Sequence, residues 1–163
     1  MDSELFNNHI LDKKFISISI SLLKDIEEQN SNDKLRKIKF QKLEKLARDL
    51  DSYQPENEIR KEKKYFLKYL RVIQSRSINK FSKKELLELE RDYLFPSING
   101  KLREIGYTTN YAWLLATFFG IPFDLVLLIF FGEYFYYIPF VSLFTAASQL
   151  IARKKAKMEN KLW

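Results

Sequence analysis

One carboxylate lies where a charged side chain is costly. Asp124 and Glu133 are the two charged residues within 111–152, a segment otherwise rich in Leu, Ile, Phe, Tyr and Ala. Acidic residues inside a membrane segment often mark an ion or proton pathway, and a hydrogen-bonded packing role is the alternative. We predict that Asp124 faces a second helix or a second copy of the chain and bonds Ser142 or Thr145.

Small residues share one helix face with Asp124. Ala112, Ala116, Gly120 and Asp124 are four residues apart, which places them along one side of a helix. Small side chains let membrane helices approach closely, and polar side chains at such a contact form hydrogen bonds across it. This spacing predicts an interhelical contact. An ion site and a structural contact at Asp124 are both consistent with it, and we favour the structural contact.

Elsewhere the chain offers few residues from which an active site could be built. It has no cysteine and one histidine, His9, which excludes thiolate chemistry and a His-rich metal site within one chain. It has neither a phosphate-binding loop nor a nucleophile elbow. Glu85, Glu88 and Asp92 share a helix and could bind a metal ion together with a second helix. The neighbouring Lys and Arg residues instead favour a solvated, charged helix face. We predict no catalytic residue, no cofactor, no metal and no enzyme activity.

The apolar segment is long enough for two membrane crossings, since a bilayer core needs about 20 mostly apolar residues. We predict crossings at 110–131 and 134–152, turning near Gly132 and Glu133. In the first crossing, 13 Leu, Ile, Val or Phe residues outweigh the insertion cost of Asp124. The second has fewer and needs the first as a partner. A re-entrant segment, broken near its prolines, is the rival topology.

Positive charge lies at both ends of this predicted hairpin and is absent from its turn. The basic residues assigned to the membrane surface are Lys101, Arg103, Arg153, Lys154, Lys155 and Lys157. Because cytoplasmic loops are enriched in Lys and Arg, we predict an integral membrane protein with both termini in the cytoplasm. In a bacterium this would be the inner membrane. Residues 134–137 would form an aromatic belt at the far interface.

The first hundred residues predict about four amphipathic helices. Apolar residues such as Phe15 and Ile26 recur at helical spacing, although the alternation at 16–20 also fits a strand. Ser82 and Glu85 predict a capping box at the start of the fourth helix. A short piece after this helix, around 98–105, either lies along the membrane surface or is a plain linker helix.

The predicted fold class is all-α, in three parts. A charged helical cytoplasmic region occupies 1–106, a C-terminal two-helix transmembrane hairpin occupies 107–152, and a basic tail occupies 153–163. The hydropathy supports this division, because residues 1–100 hold 21 Lys or Arg and 17 Asp or Glu, whereas 111–152 hold no positive charge. This pattern predicts that one chain combines a charged region with an apolar membrane anchor.

The cytoplasmic region is basic in two stretches, with six cations against one acid at 34–45 and ten against one at 60–84. A solvated Lys-rich face is the commonest explanation. Anionic lipid is the second, and nucleic acid is disfavoured because no recognition motif occurs. Besides the lipid bilayer, we predict a protein partner or a homo-oligomer. The leading hypothesis is a membrane-anchored interaction or assembly subunit; the alternative is an oligomeric channel or membrane-perturbing effector with Asp124 facing the pore.

Overall fold

The chain is mostly helical in the described residues, 8–76, 78–132 and 139–163 of a computed structural model, and these residues contain no β-strand. The predicted all-α class is therefore confirmed. The chain divides into two units, Met1–Leu102 and Arg103–Trp163, each with its own internal packing.

The first unit combines two long helices with several short ones. Its helices are α1 (Asn8–Glu28), α2 (Asn32–Lys37), α3 (Phe40–Asp51), α4 (Glu56–Ser75), α5 (Lys83–Leu89) and α6 (Phe95–Asn99), followed by α7 (Lys101–Glu104), which runs into the second unit. A 3-10 turn, Ile78–Lys80, precedes α5, and a π-helical turn, Glu90–Leu94, joins α5 to α6.

The core of the first unit lies where α1 packs against α3 and α4. Phe15 on α1 and Phe66 on α4 are 0% and 1% exposed, and their ring centroids are 6.1 Å apart. Residues 16–20 are helical, so the strand alternative is wrong. Ser19 is buried in this face whereas Ile20 is exposed. Alternating Ile and Ser therefore do not set the structure here; the helical spacing of the flanking apolar residues does.

Local sequence signals set the start of α5. The Ser82 backbone N–H donates to Glu85 Oε2 at 2.7 Å, and the Glu85 N–H donates to Ser82 Oγ at 3.2 Å. This is the predicted capping box, with both of its hydrogen bonds present. Further along, Ile98 and Leu102 are 0% and 1% exposed. They belong to the core of the first unit, so the hypothesis that this piece lies on the membrane surface is wrong for them.

The second unit is an antiparallel hairpin of α8 (Ala112–Phe131) and α9 (Phe140–Met158). α8 runs unbroken through Pro122, so the break that the rival re-entrant topology required there is not found. Among the described helices, α8 is the one that is long and apolar enough to cross a membrane, with a mean hydropathy of 2.3 and 6% of that stretch buried. Length and composition alone support this statement.

The predicted second crossing at 134–152 is not a membrane-length helix. Pro139 stands at the N-cap and α9 begins at Phe140. The apolar part of α9, residues 140–152, rises about 20 Å at 1.5 Å per residue, which is short of the roughly 30 Å hydrocarbon core. The prediction failed because it counted apolar residues across a proline that has no N–H for a helical ladder. The predicted turn at Glu133 and the aromatic belt at 134–137 lie outside the described residues.

The last eleven residues do not form a separate tail. α9 continues to Met158, and the chain then returns to the segment before α8, where Thr108 and Leu162 form an isolated parallel bridge. The Trp163 N–H donates to the Thr108 carbonyl at 2.8 Å, and the Asn110 N–H donates to the Trp163 carbonyl at 3.0 Å. We call this pairing of 108–110 with 161–163 the clasp. It closes the hairpin at the end where α8 begins and α9 ends.

Candidate functional site

Asp124 caps the amino terminus of the neighbouring helix. Its Oδ1 accepts a hydrogen bond from the Val141 backbone N–H at 2.8 Å, and its Oδ2 accepts from the Ser142 backbone N–H at 2.9 Å and from the Ser142 hydroxyl. Val141 and Ser142 are the second and third residues of α9, whose N–H groups have no partner within the helix. A carboxylate there also interacts favourably with the helix dipole.

The residue at the N-cap position explains why the cap comes from another helix. A Ser, Thr, Asp or Asn at this position normally accepts the first free N–H groups through its own side chain. In α9 the position is occupied by Pro139, which makes no side-chain cap hydrogen bond. Asp124, 15 residues earlier in the chain, therefore does for α9 what a local cap does elsewhere.

Gly120 permits the close approach on which this cap depends. A Cβ placed on Gly120 would lie 2.8 Å from the Ser142 Cα and 3.0 Å from its backbone nitrogen. Both contacts are with backbone atoms, which cannot rotate away. Ser142 itself is 5% exposed. The small residue on α8 and the small residue on α9 therefore bring the two backbones together one turn from Asp124.

The other predicted contact residues lie along the same face. Thr145 does not bond Asp124; its Oγ1 donates to the Val141 carbonyl at 2.7 Å and lies 3.4 Å from the Ala116 carbonyl oxygen. Ala116 and Ala112 are half-buried. Of the predicted set, the structure thus brings Asp124, Gly120 and Ser142 into direct contact, with Ala116 and Thr145 alongside.

This geometry occupies the carboxylate with donors from its own chain. Both oxygens of Asp124 are engaged, one by a single N–H and the other by an N–H and a hydroxyl. Within residues 8–76, 78–132 and 139–163, no cluster of three or more His, Asp or Glu side chains could hold a metal ion. The arrangement suits a carboxylate that fixes the position of α9 better than one that passes ions.

Outside this contact, the hairpin exposes an unusual amount of apolar surface. We call this the hairpin surface, and its side chains, each at least half exposed, include Leu114, Leu115, Phe118, Phe119, Phe123, Ile129, Phe130, Phe144 and Ile151. They come from both helices, whereas the polar side chains of Asp124, Ser142 and Thr145 point into the contact. Contiguous apolar surface of this kind marks a protein-binding or membrane-binding region.

The predicted surface cations differ in what they contact. Lys101 pairs with Glu58 on α4, within the first unit. Arg153 Nη2 lies 3.5 Å from Asn110 Oδ1 at the clasped end. Lys154, Lys155 and Lys157 are exposed on the last turns of α9. Arg103 is exposed on α7. Four of the six predicted surface cations therefore lie on α9, and Lys101 and Arg103 lie on α7.

One buried polar pair in the first unit gave no sequence signal. Lys39 Nζ donates to both carboxylate oxygens of Glu90, at 2.7 and 3.1 Å, and Glu90 is 5% exposed. Lys39 has a left-handed backbone with φ 56° and Glu90 opens the π-helical turn, 51 residues further along the chain. No local pattern joins residues so far apart.

The surroundings of this pair shift two ionisation equilibria. Burial, and secondarily the Glu90 charge, raises the pKa of the Tyr69 hydroxyl, which has no hydrogen-bond partner among the residues that the structure describes. Burial, followed by the charge of Lys39, lowers the pKa of Lys42. These effects stabilise the neutral form of each group, which is typical of a packed polar cluster inside a fold and does not by itself define a site.

Comparison of the chain with protein-family models, with curated proteins and with solved structures finds no match. Function is therefore argued from the chain's own residues.

Proposed function

We propose that this chain is a membrane-anchored, non-enzymatic interaction or assembly subunit. In this proposal Arg103–Trp163 inserts into a bilayer as a helical hairpin, and Met1–Leu102 is a folded cytoplasmic unit that docks a protein partner or a further copy of the chain. The single observation that carries the proposal is the hairpin surface, on which large apolar side chains from both helices are exposed.

The distribution of polar groups in the hairpin supports insertion. In lipid, every polar backbone or side-chain group needs a partner within the protein. Asp124 meets this requirement for the first turn of α9, because it accepts hydrogen bonds from the Val141 and Ser142 N–H groups. The Thr145 hydroxyl donates to the Val141 carbonyl. The apolar side chains meanwhile face outward, where lipid tails would replace water at no cost. A soluble hairpin would have the reverse arrangement.

The direction of the hairpin supports placement of both ends on one side. Antiparallel packing brings Asn110 close to Arg153 and pairs Thr108 with Leu162. The cations Arg153, Lys154, Lys155 and Lys157 lie at this end, and the positive-inside rule assigns such an end to the cytoplasm. α8 is long enough to cross the bilayer. The return to the clasped end uses α9 together with the residues that precede it, because the apolar part of α9 alone is shorter than the hydrocarbon core. This keeps the first unit on the cytoplasmic face.

The first experiment asks whether the chain is integral and how it is oriented. Native membranes are washed with alkaline carbonate, and three single-cysteine variants, Ser75→Cys, Glu133→Cys and Met158→Cys, are labelled with an impermeant maleimide. The chain has no cysteine of its own, so each label reports one position. We expect Ser75→Cys and Met158→Cys to react from the cytoplasmic side and Glu133→Cys from the opposite side. Release by carbonate would refute the anchor.

The same labelling separates the two topologies. A re-entrant hairpin would leave Glu133→Cys unreactive from the outside while the other two positions still react from the cytoplasm. Labelling of Ser75→Cys and Met158→Cys from opposite faces would exclude a hairpin of either kind.

The second experiment asks what the anchored chain does. Membranes are extracted in mild detergent and the mass of the complex is measured, and the purified chain is tested for ion leakage in liposomes. A fixed stoichiometry with a second protein, or a defined homo-oligomer with tight liposomes, is the expected result. A homomeric ring whose leakage is lost in Asp124→Asn would instead favour the channel. A lone monomer would contradict the assembly role.

A further inference from the structure

We propose that the clasped end of the hairpin is a docking surface for the anionic phospholipid headgroups of one leaflet, with Lys154 and Lys157 as its principal contacts. This inference rests on the membrane insertion proposed above and names the lipid class that the inserted end selects. It is carried by the charge balance of this end, by the pairing of its side chains and by the rigidity of the clasp.

The clasped end is strongly positive. The segments 103–110 and 153–163 contain six cations, at Arg103, Arg153, Lys154, Lys155, Lys157 and Lys161, against two acids, Glu104 and Glu159, which leaves four net positive charges. No acid other than these two occurs in the two segments. An anionic surface complements this charge, and each Lys or Arg near such a leaflet contributes about 1 kcal/mol.

Internal contacts divide these cations into two groups. Lys161 Nζ donates to the Ile105 carbonyl at 2.8 Å, lies 3.2 Å from Glu159 and contacts the Tyr107 ring, so it is committed to the fold. Lys155 lies 4.0 Å from Glu159. Lys154 and Lys157 are exposed and have no partner within the described residues. Their charge is therefore available to a ligand outside the chain.

The clasp holds these two lysines in a fixed frame. They flank Ala156, which is 1% exposed, on a helix that continues to Met158. The following segment is fixed by the Thr108–Leu162 bridge, and Trp163 is 4% exposed. A flexible basic tail would pay an ordering cost on binding that a folded one avoids.

The position of the clasped end favours lipid over a soluble polyanion. Tyr111 is 72% exposed and Trp113 is half-buried, and both stand at the start of α8 between the basic residues and the hairpin surface. Tyr and Trp favour the level of lipid headgroups because one end of the ring system is apolar and the other polar. A charge cluster next to such residues is adjacent to the headgroup layer once the hairpin is inserted.

The test uses the tryptophans of the chain as reporters. Trp113 and Trp163 are the only tryptophans, and both belong to this end of the hairpin. The full chain in mild detergent is titrated with brominated phosphatidylglycerol or brominated phosphatidylcholine, which quench tryptophan fluorescence on contact. We expect half-maximal quenching at a lower mole fraction of brominated phosphatidylglycerol than of brominated phosphatidylcholine.

The variants assign that preference to the two lysines. In Lys154→Gln/Lys157→Gln the half-maximal mole fraction of phosphatidylglycerol should rise by on the order of 25-fold, about fivefold for each lysine. The control is Lys80→Gln/Lys83→Gln, an exposed pair in the first unit with the same three-residue spacing. It should leave the preference unchanged. Equal quenching by the two lipids, or an equal shift in both double variants, would overturn the docking surface.

The outcomes also separate this inference from the proposed membrane anchor. Equal quenching by both lipids together with resistance to carbonate would remove the docking surface and retain the anchor. Absence of quenching by either lipid would remove both.

Discussion

The two units bury opposite kinds of side chain. In Met1–Leu102 the interior is made chiefly of Leu, Ile and Phe, and charged groups other than Lys63 and Glu90 lie mostly outside. In Arg103–Trp163 the helix contact is made by Gly120, Ser142 and Asp124, and the large apolar side chains lie outside. Water favours the burial of apolar surface, whereas lipid does not distinguish it from its own tails. This is the difference expected if, as proposed, the first unit lies in water and the second in lipid.

This difference changes what holds each unit together. The first unit gains stability chiefly from apolar area removed from water, at roughly 25 cal/mol per Å². In the bilayer proposed for it, the hairpin would gain little from that source and would rely on close van der Waals contact and interhelical hydrogen bonds. Large side chains should therefore matter most in the first unit, and small and polar ones should matter most in the second.

The strongest test makes the same substitution in both units. Phe66→Ala removes a ring that is 1% exposed, and Phe130→Ala removes one that is 78% exposed. We expect Phe66→Ala to lower the free energy of unfolding of the first unit by about 3–5 kcal/mol, and Phe130→Ala to change that of the hairpin by less than about 1 kcal/mol. Hydrogen exchange of α4 and α8 amides in the full chain in detergent measures both. Similar losses would show that Phe130 is buried as well.

The next test fills the space between the hairpin helices. Gly120→Leu adds a side chain whose Cβ would lie within 3.0 Å of backbone atoms of Ser142. The two helices must therefore separate. We expect a loss of about 1–3 kcal/mol, the usual cost of overpacking, read out as faster exchange of α9 amides. Ala147→Leu, which enlarges another small residue on the exposed face of α9, is the control and should change little. If both variants behave alike, the close approach is not what stabilises the hairpin.

A smaller effect is expected from the cap itself. Asp124→Ala leaves the Val141 and Ser142 N–H groups without their acceptor, which should cost about 0.5–2 kcal/mol, as for other helix caps. Asp124→Asn keeps one acceptor oxygen and should cost less. Exchange at the first turn of α9 measures the loss, with Asp92→Ala, an exposed acid of the first unit, as the control. Unchanged exchange in Asp124→Ala would contradict the capping role.

The smallest effect is a pH dependence confined to the first unit. Hydrogen bonds from the Ser82 backbone, and then from its hydroxyl, lower the pKa of Glu85. A lowered folded-state pKa gives stability that is present above the unfolded pKa of about 4.3 and is lost as pH falls through the folded value. Wild type should therefore lose stability between about pH 5 and pH 3 relative to Glu85→Gln, as measured by thermal unfolding. The pH profile of Glu88→Gln should match that of wild type. If the profile of Glu85→Gln also matches wild type, the capping box is not the source of the pH dependence.

Features set by neighbours in sequence were predictable. The capping box at Ser82 depends on a spacing of three residues, and α8 depends on a run of apolar residues, so both were visible in the chain. The contact between Asp124 and Ser142 was also predicted, because folding back near Gly132 brings these residues level. Each of these needs only the helical period and the direction of the chain.

Features that depend on where a second element begins were not predictable. The prediction of a second crossing was wrong because α9 starts at Phe140, after Pro139. For the same reason Asp124 caps this helix, whereas the sequence predicted a packing role for it. The clasp was missed because the cations of residues 153–163 indicated only a basic tail at the membrane surface, with no pattern that pairs it with residues 108–110. The Lys39–Glu90 pair joins residues 51 positions apart, for which no periodicity exists.

The helical class, the separation into a charged region and an apolar one, and the presence of a carboxylate at a close contact can all be predicted from the chain. Those properties follow from composition and from the 3.6-residue period, which each segment carries alone. Which polar groups bond to one another depends on the folded arrangement: Asp124 with the free N–H groups of α9, Thr108 with Trp163, and Lys39 with Glu90. A buried polar group must find a partner somewhere, and the identity of that partner depends on which distant segment the fold brings within about 3 Å.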